Sequence, residues 1–374
     1  MQPYHNLSQI ITFNNDDEKA WWDKAAPMLL KSMQNAGYDV DAQYHQLGLL
    51  YKCAIPYLGM FPTVENDHKR WKSFLCPYGI PFEPSLNLSQ GTVRFAFEPV
   101  GRDAGTEKDP QNMNSIWECL EGLKQYSGQI DTTWYHRFAS LLLLNEEESQ
   151  RLAETKKYTF TPGHGVYGFA IDLKGAQPMV KGYFWVTLKS RMSGISTGQL
   201  MFDAVRDVDT EGTVAEPLAM LETYSHVNKT LQLGFISFDM IQPQDARIKI
   251  YGLDQEVSFE HTQSLWTMGG RIKSESNQEG LKLLQKLWDL MQIPPGVRTG
   301  DVEHLGLGEL PKYKLPTMVN WTLLPGHSDP LPQVYLVPFG MQDLHIADAL
   351  TAFFEYLGWT DLARDYKKQL TSYL

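Results

Sequence analysis

The sequence predicts an α+β fold, an antiparallel β-barrel of αββα repeats surrounded by helices. Three observations point there. Four pairs of alternating apolar and polar stretches are each joined by a short turn segment, the pattern of β-hairpins. Helical patterns separate the pairs at a spacing of roughly seventy to eighty residues, and strands joined by tight turns do not suit parallel βαβ winding. Finally, the strands carry cations or an amide beside aromatic rings at two-residue spacing, which places both on one face.

The elements follow in order. Asp16 to Asn35 reads as a helix, with Asn14, Asn15 and Asp16 available as caps, a stripe of Trp21, Trp22, Ala25, Leu29 and Met33, and Gly37 as terminator. Tyr44 to Cys53 is a second helical pattern. The first hairpin pairs Pro81–Asn87 with Thr92–Glu98 across Ser89-Gln90-Gly91. A polar linker, Gly101 to Pro110, leads to helices over Asn112–Tyr126, Thr132–Leu144 and Glu146–Thr155. The second hairpin pairs Tyr167–Leu173 with Tyr183–Leu188 through Gly175 to Pro178, and helices over Thr197–Arg206 and Val214–Lys229 follow. The third pairs Leu231–Met240 with Arg247–Leu253 across Gln242-Pro243-Gln244-Asp245. Helices over Glu260–Met268 and Gln278–Gln292 precede an irregular Pro- and Gly-rich segment, Ile293–Lys314. The fourth hairpin pairs Thr317–Leu324 with Gln333–Phe339, and helices over Gln342–Gly358 and Thr360–Tyr373 close the chain.

Composition narrows the function. The 374 residues are 43% apolar and 21% charged, ordinary for a globular protein. A net charge of −11 argues against a nucleic-acid surface, so cations with a role must be local and inward. Three cysteines, Cys53, Cys76 and Cys119, lack metal or redox spacing and suit free thiols in a reducing compartment. No apolar run nears the ~18 residues of a membrane span, and the first residues carry no signal-peptide pattern. The expected location is the cytoplasm, without a membrane or nucleic-acid partner.

The chemistry sits in the strands. In Arg247-Ile248-Lys249-Ile250-Tyr251, the two cations and the tyrosine project opposite the isoleucines. The spacing returns in Lys181-Gly182-Tyr183 and Gln333-Val334-Tyr335, while Val93-Arg94-Phe95 sets an arginine in an apolar strand. Two cations 4 Å apart repel by ~4 kcal/mol at an effective dielectric of 20, so an enclosed face of this kind calls for a polyanion. Other motifs carry less. Gly163-His164-Gly165-Val166-Tyr167-Gly168 fits G-x-G-x-x-G but precedes a strand instead of following one. Asp16-Asp17-Glu18 stands at a helix start, where carboxylates favour the helix dipole. No H-E-x-x-H or H-x-x-x-H pair indicates a transition metal.

Taken in order, these stretches resemble the fungal indole prenyltransferases of the dimethylallyltryptophan synthase family. The segments PYGIPFEPSLN (77–87), TVRFAFEP (92–99), DLKG (172–175), ARIKIY (246–251), LWTMGGR (265–271) and FGMQD…ADALTAFFEYLGW (339–359) carry the likeness. It implies one domain over 1–374 and a reaction chamber within the barrel. It also implies dimethylallyl diphosphate and a small-molecule indole acceptor as substrates, with no cofactor and no metal needed for the chemistry. Carried over by position, Arg94, Lys181, Arg247, Lys249 and Gln333 bind diphosphate. Tyr183, Tyr251 and Tyr335 shield the allylic cation, Met318 lines the prenyl pocket, and Glu83 accepts the indole N–H.

Two departures qualify the resemblance. Enzymes that alkylate free tryptophan carry a lysine base at the position of Gly168 and a carboxylate-gripping arginine at that of Gly234. Their absence points to a larger indole, such as a tryptophan-containing cyclic dipeptide or related alkaloid, for which glycine at both positions leaves room. The likeness also calls for a fifth hairpin after the last helix, where this sequence stops. Either the sequence is shortened or an open seam exposes two strand edges, which predicts a homodimer across the gap or a catalytically silent diphosphate- or indole-binding protein.

Overall fold

The computed structural model describes residues 2–65, 71–128, 130–154, 165–174, 178–299, 313 and 315–373. They hold ten strands and thirteen α-helices. Eight strands make one sheet in chain order, and two short strands between the sixth and seventh of them pair separately. The chain forms two compact units. The first comprises the described residues of Met1–Ser196 and Ser237–Ala246, the second those of Thr197–Ile236, Arg247–Val302 and Leu310–Leu374.

In the first unit, α1 (Gln2–Ile10), α2 (Asp16–Asn35) and α3 (Val40–Leu49) precede the hairpin of β1 (Phe82–Asn87) and β2 (Thr92–Phe97). Helices α4 (Ser115–Ser127), α5 (Thr133–Leu142) and α6 (Glu146–Glu154) lead to β3 (Tyr167–Leu173) and β4 (Met179–Trp185), then α7 (Thr187–Ser193). α2 begins where its cap dictates: Asn15 accepts the Glu18 amide, and the Glu18 carboxylate takes the Asn14 amide in return. Register puts Phe95, Phe97, Phe169, Ile171, Val180 and Phe184 on one side of the strands. All are buried there, and Tyr135 of α5 packs on Phe169 and Phe184 with ring centroids 5.5 and 5.1 Å apart. Gly182 lies on that side too. A Cβ there would stand 2.9 Å from Phe238 and 3.0 Å from Tyr135, so the packing admits only glycine without a shift.

The second unit contains α8 (Thr197–Val208), α9 (Ala215–Val227), β6 (Ile248–Asp254), β7 (Glu256–Val257), α10 (Phe259–Thr267) and α11 (Glu275–Met291). After them come β8 (Gly296–Val297), β9 (Thr317–Leu323), β10 (Leu331–Tyr335), α12 (Asp343–Tyr356) and α13 (Thr360–Thr371). Strand β5 (Leu231–Asp239) lends its first six residues to this unit and its last three to the other. Ile248, Ile250, Val319, Trp321 and Leu323 are fully buried on one side of β6 and β9, and the Trp321 indole donates to the Leu265 carbonyl of α10 at 3.3 Å.

Strand β5 slips out of alternation. Leu231 and Leu233 press against the position where a Gly252 Cβ would stand, 2.7 and 3.1 Å away. Phe235 should share their side, yet its ring stacks on Tyr251, at 4.2 Å and 14°, on the other side of β6. One extra residue at Gly234–Phe235 accounts for this, as in a β-bulge.

Several elements differ from the sequence reading, among them the second helix, which covers Val40–Leu49 in place of Tyr44–Cys53. The second hairpin returns at Met179 and not at Tyr183, and Thr187–Ser193 is helical. Met179 already pairs with Asp172 and Phe184 with Tyr167, so β3 is matched from Tyr167 to Asp172 before Thr187. In the fourth hairpin β10 covers Leu331–Tyr335 in place of Gln333–Phe339. Pro332 is tolerated because β10 is an edge strand. α1 was not anticipated, since Pro3 is its one buried residue and no apolar stripe announces it. The 163–164 part of the glycine motif, the 175–177 turn and much of the 293–314 segment lie outside the described residues.

Candidate functional site

In the first unit the side of the strands turned away from α5 carries the polar residues. Register sets Ser85, Arg94, Asp172 and Met179 in one row and Glu83, Ala96, Ala170 and Lys181 in the next. Gly168 faces Tyr183 in a third. Arg94 and Lys181 meet at Asp172, a residue to which the sequence alone gives no role. The Arg94 Nε donates to Asp172 Oδ1, and the Lys181 Nζ donates to Oδ2 at 2.7 Å. Asp172 and Lys181 are almost completely buried, at 3% and 4% exposure. Burial opposes the charge on Asp172, but the hydrogen bond from Arg94 and the charge of Lys181 prevail and hold its pKa below the ordinary value. Burial and then the repulsion of Arg94 push the Lys181 pKa down, against the pull of Asp172 and Asp239.

Glu83 is water-accessible, yet the protein around it displaces enough solvent to raise its pKa, with Arg94 pulling the other way. The small side chains of Ala96 and Ala170 separate Glu83 from Lys181 along their row. Beyond Gly168, Trp185 approaches Phe74 with ring centroids 3.8 Å apart and lies 5.9 Å from Tyr183. Gly168 is therefore not the open position expected: a Cβ would sit 3.2 Å from the Phe97 carbonyl and 3.6 Å from Trp185.

One buried carboxyl, Glu98, follows Arg94 and Ala96 on the same strand side. It is fully buried and takes the Trp71 indole N–H on Oε1 at 2.9 Å, while its Oε2 has no partner among the described residues. Burial pushes its pKa up to about 7, against the hydrogen bonds it accepts. A cavity of about 510 Å³ elsewhere in this unit touches none of the anticipated site residues. Asp17 and Glu18 on its wall are already taken by the Phe61 and Asn14 amides.

In the second unit, Tyr251, Asn320 and Gln333 stand side by side across β6, β9 and β10, flanked by the row of Leu253, Met318 and Tyr335. Gln333 is the hub. Its Oε1 accepts from Lys249 Nζ at 3.3 Å, Asn320 Nδ2 at 3.1 Å and Tyr335 OH at 3.3 Å. Asn320 Nδ2 also donates to Tyr335 OH at 2.8 Å. Tyr251 lies 6.4 Å from Tyr335 between ring centroids. Arg247 precedes β6 and is half-buried. Asn320, fully buried, was overlooked by the sequence reading. A lone amide between Val319 and Trp321 was a signal, but its meaning needed the register.

The family model for tryptophan dimethylallyltransferases matches residues 17–369. The chain belongs to the tryptophan dimethylallyltransferase family. It is an indole prenyltransferase, and this placement accords with the antiparallel sheet and surrounding helices. Among curated members it is 64% identical to prenyltransferase criF of Aspergillus cristatus and 63% identical to echinulin prenyltransferase 2 of Aspergillus ruber, each over all of this chain and 92% of the relative. Identity to tryptophan dimethylallyltransferase cnsF of Penicillium expansum is 41%, over 99% of this chain and 82% of that one. Among solved structures, AnaPT from Neosartorya fischeri superposes with a TM-score of 0.87 at 29% identity, covering 99% of this chain and 88% of the other. NotF in complex with brevianamide F and DMSPP superposes at 0.85 and 27% identity, covering 100% and 90%. No helix among the described residues of this prenyltransferase is long and apolar enough to cross a membrane.

Proposed function

We propose that this prenyltransferase moves a dimethylallyl group from dimethylallyl diphosphate to the indole of a tryptophan-containing cyclic dipeptide or related alkaloid. The observation that carries the site assignment is the pairing within each unit. Arg94 and Lys181 share one carboxylate, and Lys249 and Tyr335 share the Gln333 amide oxygen, on strand sides that bear polar groups. Arg94, Lys181, Arg247, Lys249 and Gln333 are assigned to the diphosphate. As its carbon–oxygen bond breaks, the electron pair stays on pyrophosphate, and fixed cations favour that developing charge. Tyr183, Tyr251 and Tyr335 face the allylic cation. Ring faces stabilise a cation by ~0.5–2 kcal/mol each and, unlike a carboxylate, cannot capture it. Met318, beside Tyr335 in the register, lines the prenyl pocket.

A ring carbon of the indole then attacks the cation. Glu83 accepts the indole N–H, enriching the ring, and Glu83 or water takes the ring proton in rearomatisation. A raised pKa brings the Glu83 carboxylate closer to the proton affinity useful to a base at neutral pH. The acceptor assignment rests on the absent lysine and arginine at Gly168 and Gly234, and a Cβ at Gly234 would meet nothing within 4 Å. The relatives at 63–64% identity are named prenyltransferase and echinulin prenyltransferase, while the relative named for tryptophan stands at 41%. The test is a competition. Purified enzyme with dimethylallyl diphosphate, tryptophan and a tryptophan-containing cyclic dipeptide should yield mostly prenylated cyclic dipeptide by mass spectrometry. A strong preference for tryptophan refutes the acceptor, and no indole-dependent pyrophosphate release refutes catalysis.

A further inference from the structure

We propose that Asp172 is a positioning residue for the diphosphate donor: it keeps Lys181 protonated and holds Arg94 in place while no donor is bound. The inference rests on the reading of Arg94 and Lys181 as diphosphate ligands. Arg94 lies directly opposite Asp172 in the register, whereas Lys181 lies diagonally, two residues beyond Met179, its direct partner. The carboxylate spans this offset by giving one oxygen to each cation. An amide cannot do the same. Asparagine at 172 keeps one acceptor oxygen and turns an NH₂ donor toward the other cation.

Protonation of Lys181 is the vulnerable part. A buried ammonium loses its proton readily, because burial disfavours the charged form. The charged groups around it are Arg94 on β2, which opposes its charge, with Asp172 on β3 and Asp239 on β5, which support it. Glu83 on β1 is separated from it by Ala96 and Ala170 in their shared row. Among the described residues, Asp172 is the carboxylate shown bonded to Lys181. With it gone, the Lys181 pKa falls further, with Asp239 left as its supporting carboxylate, and an arriving diphosphate draws a proton from solvent as the pH rises.

The thiolodiphosphate analogue of dimethylallyl diphosphate, which prevents turnover, is the probe. Its binding is followed by calorimetry between pH 6.5 and 8.5 in buffers of different ionisation enthalpy. The wild-type enzyme should bind it with little pH dependence and no proton uptake. Asp172→Asn should take up ~1 proton at the upper end and lose affinity about tenfold per pH unit there. Adding Lys181→Arg, whose cation does not titrate in this range, should remove both effects. A flat profile for Asp172→Asn, or steepness that survives in the double variant, overturns the proposal. Lys181→Met separates this from the underlying reading. If it leaves donor affinity unchanged, the diphosphate assignment fails and the proposal with it. If it weakens binding while Asp172→Asn stays flat, the positioning role alone fails. Should Asp172→Asn not fold, Asp172→Glu, which retains the charge, should bind more weakly with no proton uptake, and uptake there overturns the role.

Discussion

Replacing Glu98 with glutamine should stabilise the protein at alkaline pH and not at acid pH. An unfolded glutamate titrates near 4.5, whereas Glu98 titrates at about 7 in the fold because it is buried. Below pH 4.5 the carboxyl is protonated in both states and contributes its full stability. Between the two values the unfolded chain releases the proton and the native one keeps it, so stability falls as pH rises and the loss is complete above about 7. At about 1.4 kcal/mol per pH unit, the separation is worth ~3 kcal/mol. Glutamine stays neutral, and its oxygen can still accept the Trp71 indole. Urea unfolding of both proteins at pH 5 and pH 8.5 reads the difference, and titrations common to both chains cancel. The stability gap should move by ~2–3 kcal/mol toward the variant at the higher pH. A gap equal at the two pH values would refute the argument, because it would mean that Glu98 is ionised in the fold throughout.

Three other outcomes follow from the site and core. Glu83→Gln should lower kcat by about 10²–10⁴, the usual range for loss of a general base, with donor KM little changed in steady-state assays. Lys249→Met should raise donor KM by roughly 10- to 100-fold, the equivalent of a charge-assisted hydrogen bond, and acceptor KM should hold when donor is saturating. Gly182→Ala should destabilise the fold by ~1–3 kcal/mol through overpacking against Phe238 and Tyr135, visible as a lower thermal midpoint.

What the sequence made legible was local. α2 was placed to the residue because Asn15 and Glu18 form a reciprocal cap and Trp21, Trp22, Leu29 and Met33 make one stripe. Arg94 and Lys181 stood out as cations set in otherwise apolar strands. Asp172 did not, because its role depends on which strand lies opposite, and pairing cannot be counted along one segment. Asn320 escaped for the same reason. Gly168 illustrates a different limit: glycine reports a missing side chain, but whether the space is empty depends on Trp185 and Phe74, which come from other parts of the chain.

The slip at Gly234–Phe235 constrains anyone grafting this strand between relatives. A chimera joined outside Leu231–Asp239 imports the irregularity whole, and every side chain keeps its intended destination. A junction cut between residues 234 and 235 with a donor that lacks the extra residue would invert the downstream half. Phe238 would then be expelled from the aromatic packing around Phe138, 4.7 Å away in the native arrangement, and the fusion would fail in folding before its chemistry could be assayed.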